Sequence, residues 1–204
     1  MPGPVEIANV ALGMIGEPSI TSFNDDLASA RAANLRFPTV RDAVLRAHVW
    51  NFAKARQQLA KLAQNPPFGY DAQFQLPADW LRMVEVNPGP GVHPSPIAPD
   101  YKIEGQRLLL NGSDTAQIIY IRRETDTTKW DALATEAFAA RLASELAVAI
   151  TQNRTLAQQL FDQYQVKLAE ARSVDAMDEP APQIEADEWI ASRIHNPTRF
   201  FGDL

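Results

Sequence analysis

The sequence contains no cysteine among its 204 residues and only three histidines. The absence of cysteine excludes thiol catalysis, thiolate metal sites and disulfide cross-links. His48, His93 and His195 are isolated from one another, and none has a partner at a metal-ligand spacing such as HxxxH. We therefore expect neither a metal site nor a cofactor site.

Long apolar runs and an excess of positive charge are also missing. No segment approaches the roughly 20 uninterrupted apolar residues of a membrane span, and the first residues lack the basic and apolar regions of a signal peptide. The formal net charge is −6, whereas affinity for phosphates comes from clustered Lys and Arg. We expect a soluble, unexported protein that has no membrane partner and is not a general nucleic-acid binder.

The usual signatures of catalysis are absent as well. The sequence has no G-x-S-x-G, P-loop or G-x-G-x-x-G pattern. Neighbouring carboxylates such as Asp25-Asp26 and Asp178-Glu179 fall at a helix cap and in an acidic segment, where solvation explains them. We predict no catalytic residues and no enzyme, although a glycosidase with two carboxylates across a cleft remains an alternative.

The apolar periodicity predicts an α+β protein that is mainly a helical bundle. Residues 1–63 are expected to supply N-terminal helices, the second of which has a kink or a break at Pro38. The first helix should end at Gly16, because Gly followed by Pro is typical of a helix terminus. Residues 130–173 are Ala-rich with apolar positions at four-residue steps, and predict an αα-hairpin that completes the bundle.

Residues 64–129 interrupt these helical patterns with turn and strand signals. The segments "QFQLP" and "LRMVEV" predict short strands, and "YKIEGQRLLLNGSDTAQIIYIRR" predicts three more, with turns at residues 104–106 and at Asn111-Gly112. Between them lies a Pro-rich loop, residues 87–99. We expect a small antiparallel β meander inserted into the bundle.

The run "RDAVLRAHVWNFAKARQQL", residues 41–59, is basic and aromatic within an acidic chain. Two arginines of this run and two that precede it recur every five residues. Each step of five residues rotates by about 140° around a helix, so the four side chains do not share one face. Two interpretations stay open for them: solvated helix faces that contact acidic neighbours, or a surface for DNA or an acidic partner. Trp50 and Phe52 are predicted to plug the end of the bundle. The arginines are Arg31, Arg36, Arg41 and Arg46.

Residues 174–204 predict an extended tail, because acids and prolines oppose independent folding. The tail also contains large apolar side chains with little local core to join, and these are either anchors for a partner or side chains that pack back on the same subunit. The candidate anchors are Trp189, Ile190, Ile194, Phe200 and Phe201.

Several segments together resemble one protein family over residues 5–173. They are "IANVALGMIGEPSITSFNDD", "RDAVLRAHVWNFA", "LPADWLRMVEV" and "YKIEGQRLLLNG", followed by the Ala-rich hairpin and the tail. In this order they resemble the head-to-tail adaptor family of tailed bacteriophages, the tail tubular protein A-like proteins. The most specific pieces are Ile15-Gly16-Glu17-Pro18 and Trp50-Asn51-Phe52-Ala53.

The resemblance implies a structural virion protein of the tail or neck, assembled in the host cytoplasm. Such proteins form a ring, commonly a dodecamer, beneath the portal protein; DNA transits the ring, and the tail nozzle or tube assembles onto it. Arg36 and Arg46, with the tail anchors, are then expected to contact the portal or a neighbouring subunit, because a lumen dense in Lys and Arg would hold DNA. A tail-associated glycan hydrolase and a DNA-binding regulator remain alternatives.

Overall fold

The computed structural model describes residues 2–87 and 100–178, which form four α-helices and two three-stranded antiparallel sheets. The predicted α+β class is confirmed. The helices are α1 (Pro4–Met14), α2 (Ala28–Ala47), α3 (Ala132–Leu146) and α4 (Arg154–Met177). The strands are β1 (Lys54–Ala60), β2 (Ala72–Gln75), β3 (Trp80–Asn87), β4 (Tyr101–Glu104), β5 (Arg107–Leu110) and β6 (Thr115–Arg122).

Local capping chemistry sets the helix boundaries. At the start of α1 the Glu6 carboxylate accepts a hydrogen bond from the Gly3 amide at 2.8 Å. Asp131 caps α3 through the amides of residues 133 and 134, and Asn153 caps α4 through the amide of residue 156. Gly16 follows α1 with φ +79°, a left-handed conformation that glycine adopts without strain, so the predicted stop is confirmed.

Helix α2 continues through Pro38, so the chain has no break there. Proline removes the amide that would bond the carbonyl of Asn34. Both residues lie on the exposed side of α2, where water can satisfy that carbonyl. The position of Pro38 on the solvent face therefore reduces the free-energy cost of a proline inside the helix.

Strand β1 corrects the helical assignment of residues 54–60. Lys, Ala, Arg, Gln and Leu all favour helices, yet this segment pairs along its whole length with β6, from Lys54 opposite Ile121 to Ala60 opposite Thr115. Cross-strand pairing with the β-branched residues of β6 overrides the local propensity. The first sheet has the order β1-β6-β3 and the second has the order β2-β5-β4.

The predicted meander is also incorrect, because β5 and β6 belong to different sheets. The Asn111-Gly112 turn is fixed from outside: the Gly112 amide donates to the Asp71 carboxylate at 3.0 Å, and the Asp71 amide donates to Asn111 Oδ1 at 3.0 Å. These bonds hold the turn to Asp71, directly before β2. After the turn the chain enters β6, which belongs to the first sheet.

The described residues form two hydrophobic clusters. The larger one joins all four helices with Leu81 and Ile121 of the first sheet, and α3 contacts α1, α2 and α4. The smaller one lies among the sheets around Phe74, Leu108 and Ile118. Trp50 is fully buried in the helical cluster and Phe52 packs against it, so both rings belong to the core, as the plug prediction requires.

Helix α4 runs to Met177, so the expected start of the tail at residue 174 is wrong by four residues. The reason is a buried carboxylate near its end, Asp175, which bonds the segment after α2. Between α3 and α4 the chain forms a π-helical turn, Ala147–Thr151, and Gln152 adopts a left-handed conformation with φ 54°.

Candidate assembly surface

The Trp50-Asn51-Phe52-Ala53 motif holds the end of α4. The Asp175 carboxylate accepts hydrogen bonds from the Asn51 amide at 3.1 Å and lies 3.0 Å from His48 Nε2. In return the Asn51 side chain donates to the Asp175 carbonyl at 2.7 Å, and Arg172 donates to the Ala47 carbonyl. We call this set of contacts the α4 clamp; it lies directly before residue 179, at the edge of the described chain.

The aromatic residues of the same motif belong to a continuous series of rings in the helical core. Trp50 stacks on Phe52 with centroids 5.7 Å apart, and Phe52 stacks on Trp130 at 6.2 Å. Trp130 then meets Phe138 edge-on at 5.2 Å, and Phe138 meets Phe37 at 4.8 Å. Four of these five rings are buried and Phe52 is half-buried, so we expect them to fix the motif rather than to bind a ligand.

The Ile15-Gly16-Glu17-Pro18 motif lies in the connection from α1 to α2. The Asn9 side chain bonds both backbone groups of Ile20, donating to its carbonyl at 2.9 Å and accepting from its amide at 2.8 Å. The Glu17 amide donates to the Leu12 carbonyl at 3.0 Å. This connection is therefore a tightly bonded turn around the end of α1.

The two arginines predicted to contact a partner both make contacts within their own chain. Arg36 Nη1 lies 3.0 Å from Glu145 Oε2 while its side chain stays 44% exposed. Arg46 donates to the carbonyl of Leu81. The five tail anchors, which were predicted to act with these arginines, lie outside the described residues.

The other two arginines of α2 are also paired with acids. Arg31 lies 2.5 Å from Asp26, and Arg41 lies 2.8 Å from Asp42, which Arg123 also contacts at 2.8 Å. Acidic neighbours thus reduce the positive field of this segment. This arrangement favours the first interpretation of the arginines, contacts with acidic neighbours, over a surface for DNA.

An apolar groove opens between α1 and the first half of α3, with a volume of about 210 Å³. Small side chains on α3 leave this space beside α1, where Ile7 is fully buried and Val10 is 51% exposed. Sequence reasoning missed the groove, because only the packing of two helices creates it. We call it the α1/α3 groove; its lining residues are Pro2, Ile7, Val10, Ala132, Thr135, Glu136 and Ala139.

A second, polar depression of about 270 Å³ lies on the first sheet. Arg56 and Gln58 of β1, Gln117 of β6 and Asn87 of β3 line it. These side chains are exposed. The depression borders the end of the first described range at residue 87.

Two carboxylates of the described residues have a lowered pKa. Backbone hydrogen bonds from Thr21 and Ser22 lower the pKa of Asp25, and hydrogen bonds from Thr128 lower the pKa of Asp126. The acid of a glycosidase requires the opposite shift. Residues 2–87 and 100–178 contain no group of three His, Asp or Glu side chains placed to hold a metal ion.

None of the helices in the described part of the chain combines the length and apolar character of a membrane span. Comparison with protein-family models and with curated proteins finds no match to this chain. The function is therefore inferred from the chain's own residues and contacts.

Proposed function

We propose that this protein is a head-to-tail adaptor of a tailed bacteriophage, a structural virion protein that forms a ring beneath the portal and links it to the tail. The observation that carries the proposal is the α4 clamp. Trp50-Asn51-Phe52-Ala53, one of the two motifs most specific for the resemblance, bonds the end of α4 at the point where the chain continues toward the aromatic tail.

The helical part of the chain supports this role as a rigid body. We infer that α1, α2 and the pair formed by α3 and α4 act as a bundle that serves as the wedge of a ring subunit. In support, α3 contacts each of the other helices, and it presents fully buried small residues such as Ala137 and Ala143. Close packing of small side chains leaves little freedom for the helices to shift.

In this proposal the tail anchors provide contacts to the portal protein. Trp and Phe are frequent energetic centres of protein interfaces. The α4 clamp fixes the end of α4 on the helical body, so that in a symmetric ring the tail of every subunit would begin from an equivalent position. The DNA passes as cargo, and a tail nozzle or tube protein binds the opposite side.

Arg36 and Arg46 are proposed to contact the portal or a neighbouring subunit despite their internal bonds. A guanidinium carries five N–H donors, and Arg36 donates one hydrogen bond, to Glu145, while remaining 44% exposed. In this proposal its other N–H groups bind a carboxylate of another chain. The pair with Glu145 would then orient the side chain before assembly.

The proposal is tested by the mass of the full chain, measured by light scattering alone and after mixing with the portal protein encoded in the same genome. We expect a complex with one copy per portal subunit. A chain that stays separate from the portal at micromolar concentration would contradict the proposal.

Two neutral substitutions test the arginines. Arg36→Gln and Arg46→Gln are expected to weaken formation of the portal complex, while Lys102→Gln is the matched control because Lys102 is exposed on β4 and pairs with Glu104 beside it. Equal complex formation by all three variants would remove the two arginines from the proposed interface.

A further inference from the structure

The α1/α3 groove is an apolar depression at the surface of the helical body. Its lining side chains are almost all apolar or small, and Ala132 and Ala139 lie seven residues apart on the same side of α3. Alanine is too short to fill the space beside Ile7 and Val10 of α1. An apolar depression of this kind gains free energy when another apolar side chain excludes water from it.

We propose that the occupant of the α1/α3 groove is the aromatic segment of the same chain, residues 189–201. This segment carries Trp189 and Ile190 at one end and Phe200 and Phe201 at the other. A depression of about 210 Å³ accommodates one or two such side chains.

The position of α4 brings the segment within reach of the groove. Glu136, on the groove's rim, accepts a hydrogen bond from Lys167 of α4 at 2.6 Å, so that α4 passes directly beside the groove. From Lys167 the helix runs about 15 Å further to Met177.

The chain between α4 and the aromatic segment is long enough to return. Trp189 follows Asp178 by eleven residues, which span up to about 36 Å when extended. That length exceeds the distance from the end of α4 back to Lys167. A tethered segment of this length has an effective concentration in the millimolar range, which favours binding to its own subunit over binding to another copy.

The inference rests on the proposed function and extends it to regulation. A subunit whose groove holds its own aromatic segment hides the anchors that would otherwise associate nonspecifically. The portal would then compete with the groove for the segment, and ring assembly would begin where a portal is present. Self-association of free subunits would be suppressed in the same way.

The test uses the natural absence of cysteine. A single Val10→Cys substitution in the full chain is labelled with a benzophenone maleimide, irradiated at dilute concentration without portal, and the cross-linked peptides are identified by mass spectrometry. Leu35→Cys is the matched control, because Leu35 is 73% exposed on α2 and does not line the groove.

We expect a monomeric product in which Val10→Cys is joined to residues 189–201, at a yield at least fivefold above that of Leu35→Cys. Equal yields from both positions, cross-links confined to residues 2–178, or a cross-linked dimer would each overturn the inference. Because no portal is present, this result is separate from the portal-binding test: a chain that shows the cross-link but ignores the portal would retain the groove contact and lose the proposed function.

A second measurement does not depend on the label. Val10→Asp places a charge in the groove, and Leu35→Asp places one elsewhere on the surface. Tryptic cleavage after Arg193, which lies within the segment, is expected to be about tenfold faster in Val10→Asp than in the wild type and unchanged in Leu35→Asp. Identical cleavage rates in all three proteins would overturn the inference.

Discussion

Removing the Asp175 carboxylate from the α4 clamp is expected to lower the free energy of unfolding. The loss should be larger than is usual for a residue near the end of a helix. In Asp175→Ala the Asn51 amide loses its acceptor and the His48 ring loses its partner, at distances of 3.1 and 3.0 Å. The carboxylate is 7% exposed, so water replaces these contacts poorly. Hydrogen bonds to charged groups contribute about 1.5 to 3 kcal/mol each, and partial exposure of His48 reduces its share. We expect a loss of about 2 to 4 kcal/mol in the free energy of unfolding.

The assay is urea unfolding followed by tryptophan fluorescence, because Trp50 and Trp130 are buried in the helical core. With an m-value of about 2 kcal/mol/M, the midpoint should fall by about 1 to 2 M urea. Asp175→Asn keeps an acceptor for the Asn51 amide and should lose about half as much.

Asp162→Ala is the matched control for this prediction. Asp162 is also on α4 and also accepts a hydrogen bond, from Gln158 at 2.9 Å, but that contact is exposed. Its loss should change stability by less than about 0.5 kcal/mol. Midpoints that coincide for Asp175→Ala and Asp162→Ala would refute the reasoning that the clamp holds the end of α4.

Three further predictions concern the core, the sheets and a helix cap. Phe138→Ala removes a fully buried ring that lies between Phe37 and Trp130; unfolding should become easier by about 3 to 5 kcal/mol, and a loss below 1 kcal/mol in urea titrations would contradict the ring series. Burial and the nearby Asp79 carboxylate raise the pKa of Tyr120 to about 12, above its value of about 10 in the unfolded chain. The native state therefore holds this proton more tightly, so stability should fall as the pH rises from about 10 through 12; Tyr120→Phe should lack the part of this decline due to Tyr120, and an identical pH profile would contradict the assignment. Asp131→Ala removes the acceptor for two amides at the start of α3 and should cost about 1 kcal/mol, measurable as a lower thermal midpoint; an unchanged midpoint would show that the cap contributes nothing.

The local elements that carry strong signals could be predicted from the sequence. Gly16 followed by Pro18 marked the end of the first helix, and the segment "LRMVEV", residues 81–86, marked β3. The burial of Trp50 followed from its place at the end of a helical run. In each case the determinant is local, because capping and periodicity act over a few neighbouring residues.

The errors arose where distant contacts decide the outcome. Residues 54–60 have helical propensity but pair with β6, 55 to 67 residues further along the chain. The segment after β5 carries an Asn-Gly hairpin signal, yet Asp71 holds that turn, and β6 joins the other sheet. Neither partner is visible in a sequence window of ten or twenty residues.

The candidate site was predictable only in part. The Trp50-Asn51-Phe52-Ala53 motif was recognisable, but its polar partner Asp175 follows Asn51 by 124 residues and had been assigned to the acidic tail. The α1/α3 groove carries no sequence signal, since it depends on where small residues of α3 face α1. The five-residue spacing of the arginines could be read from the sequence. The ion pairs that Arg36 and Arg41 make with particular acids could not.

The central claim is that the chain forms a ring on a portal, and electron microscopy of the full-length protein mixed with the purified portal tests it most directly. The account predicts an additional ring of density on one face of the portal, with the portal's own rotational symmetry and one subunit for each portal subunit. Portal particles whose averaged images are the same with and without this protein would contradict it.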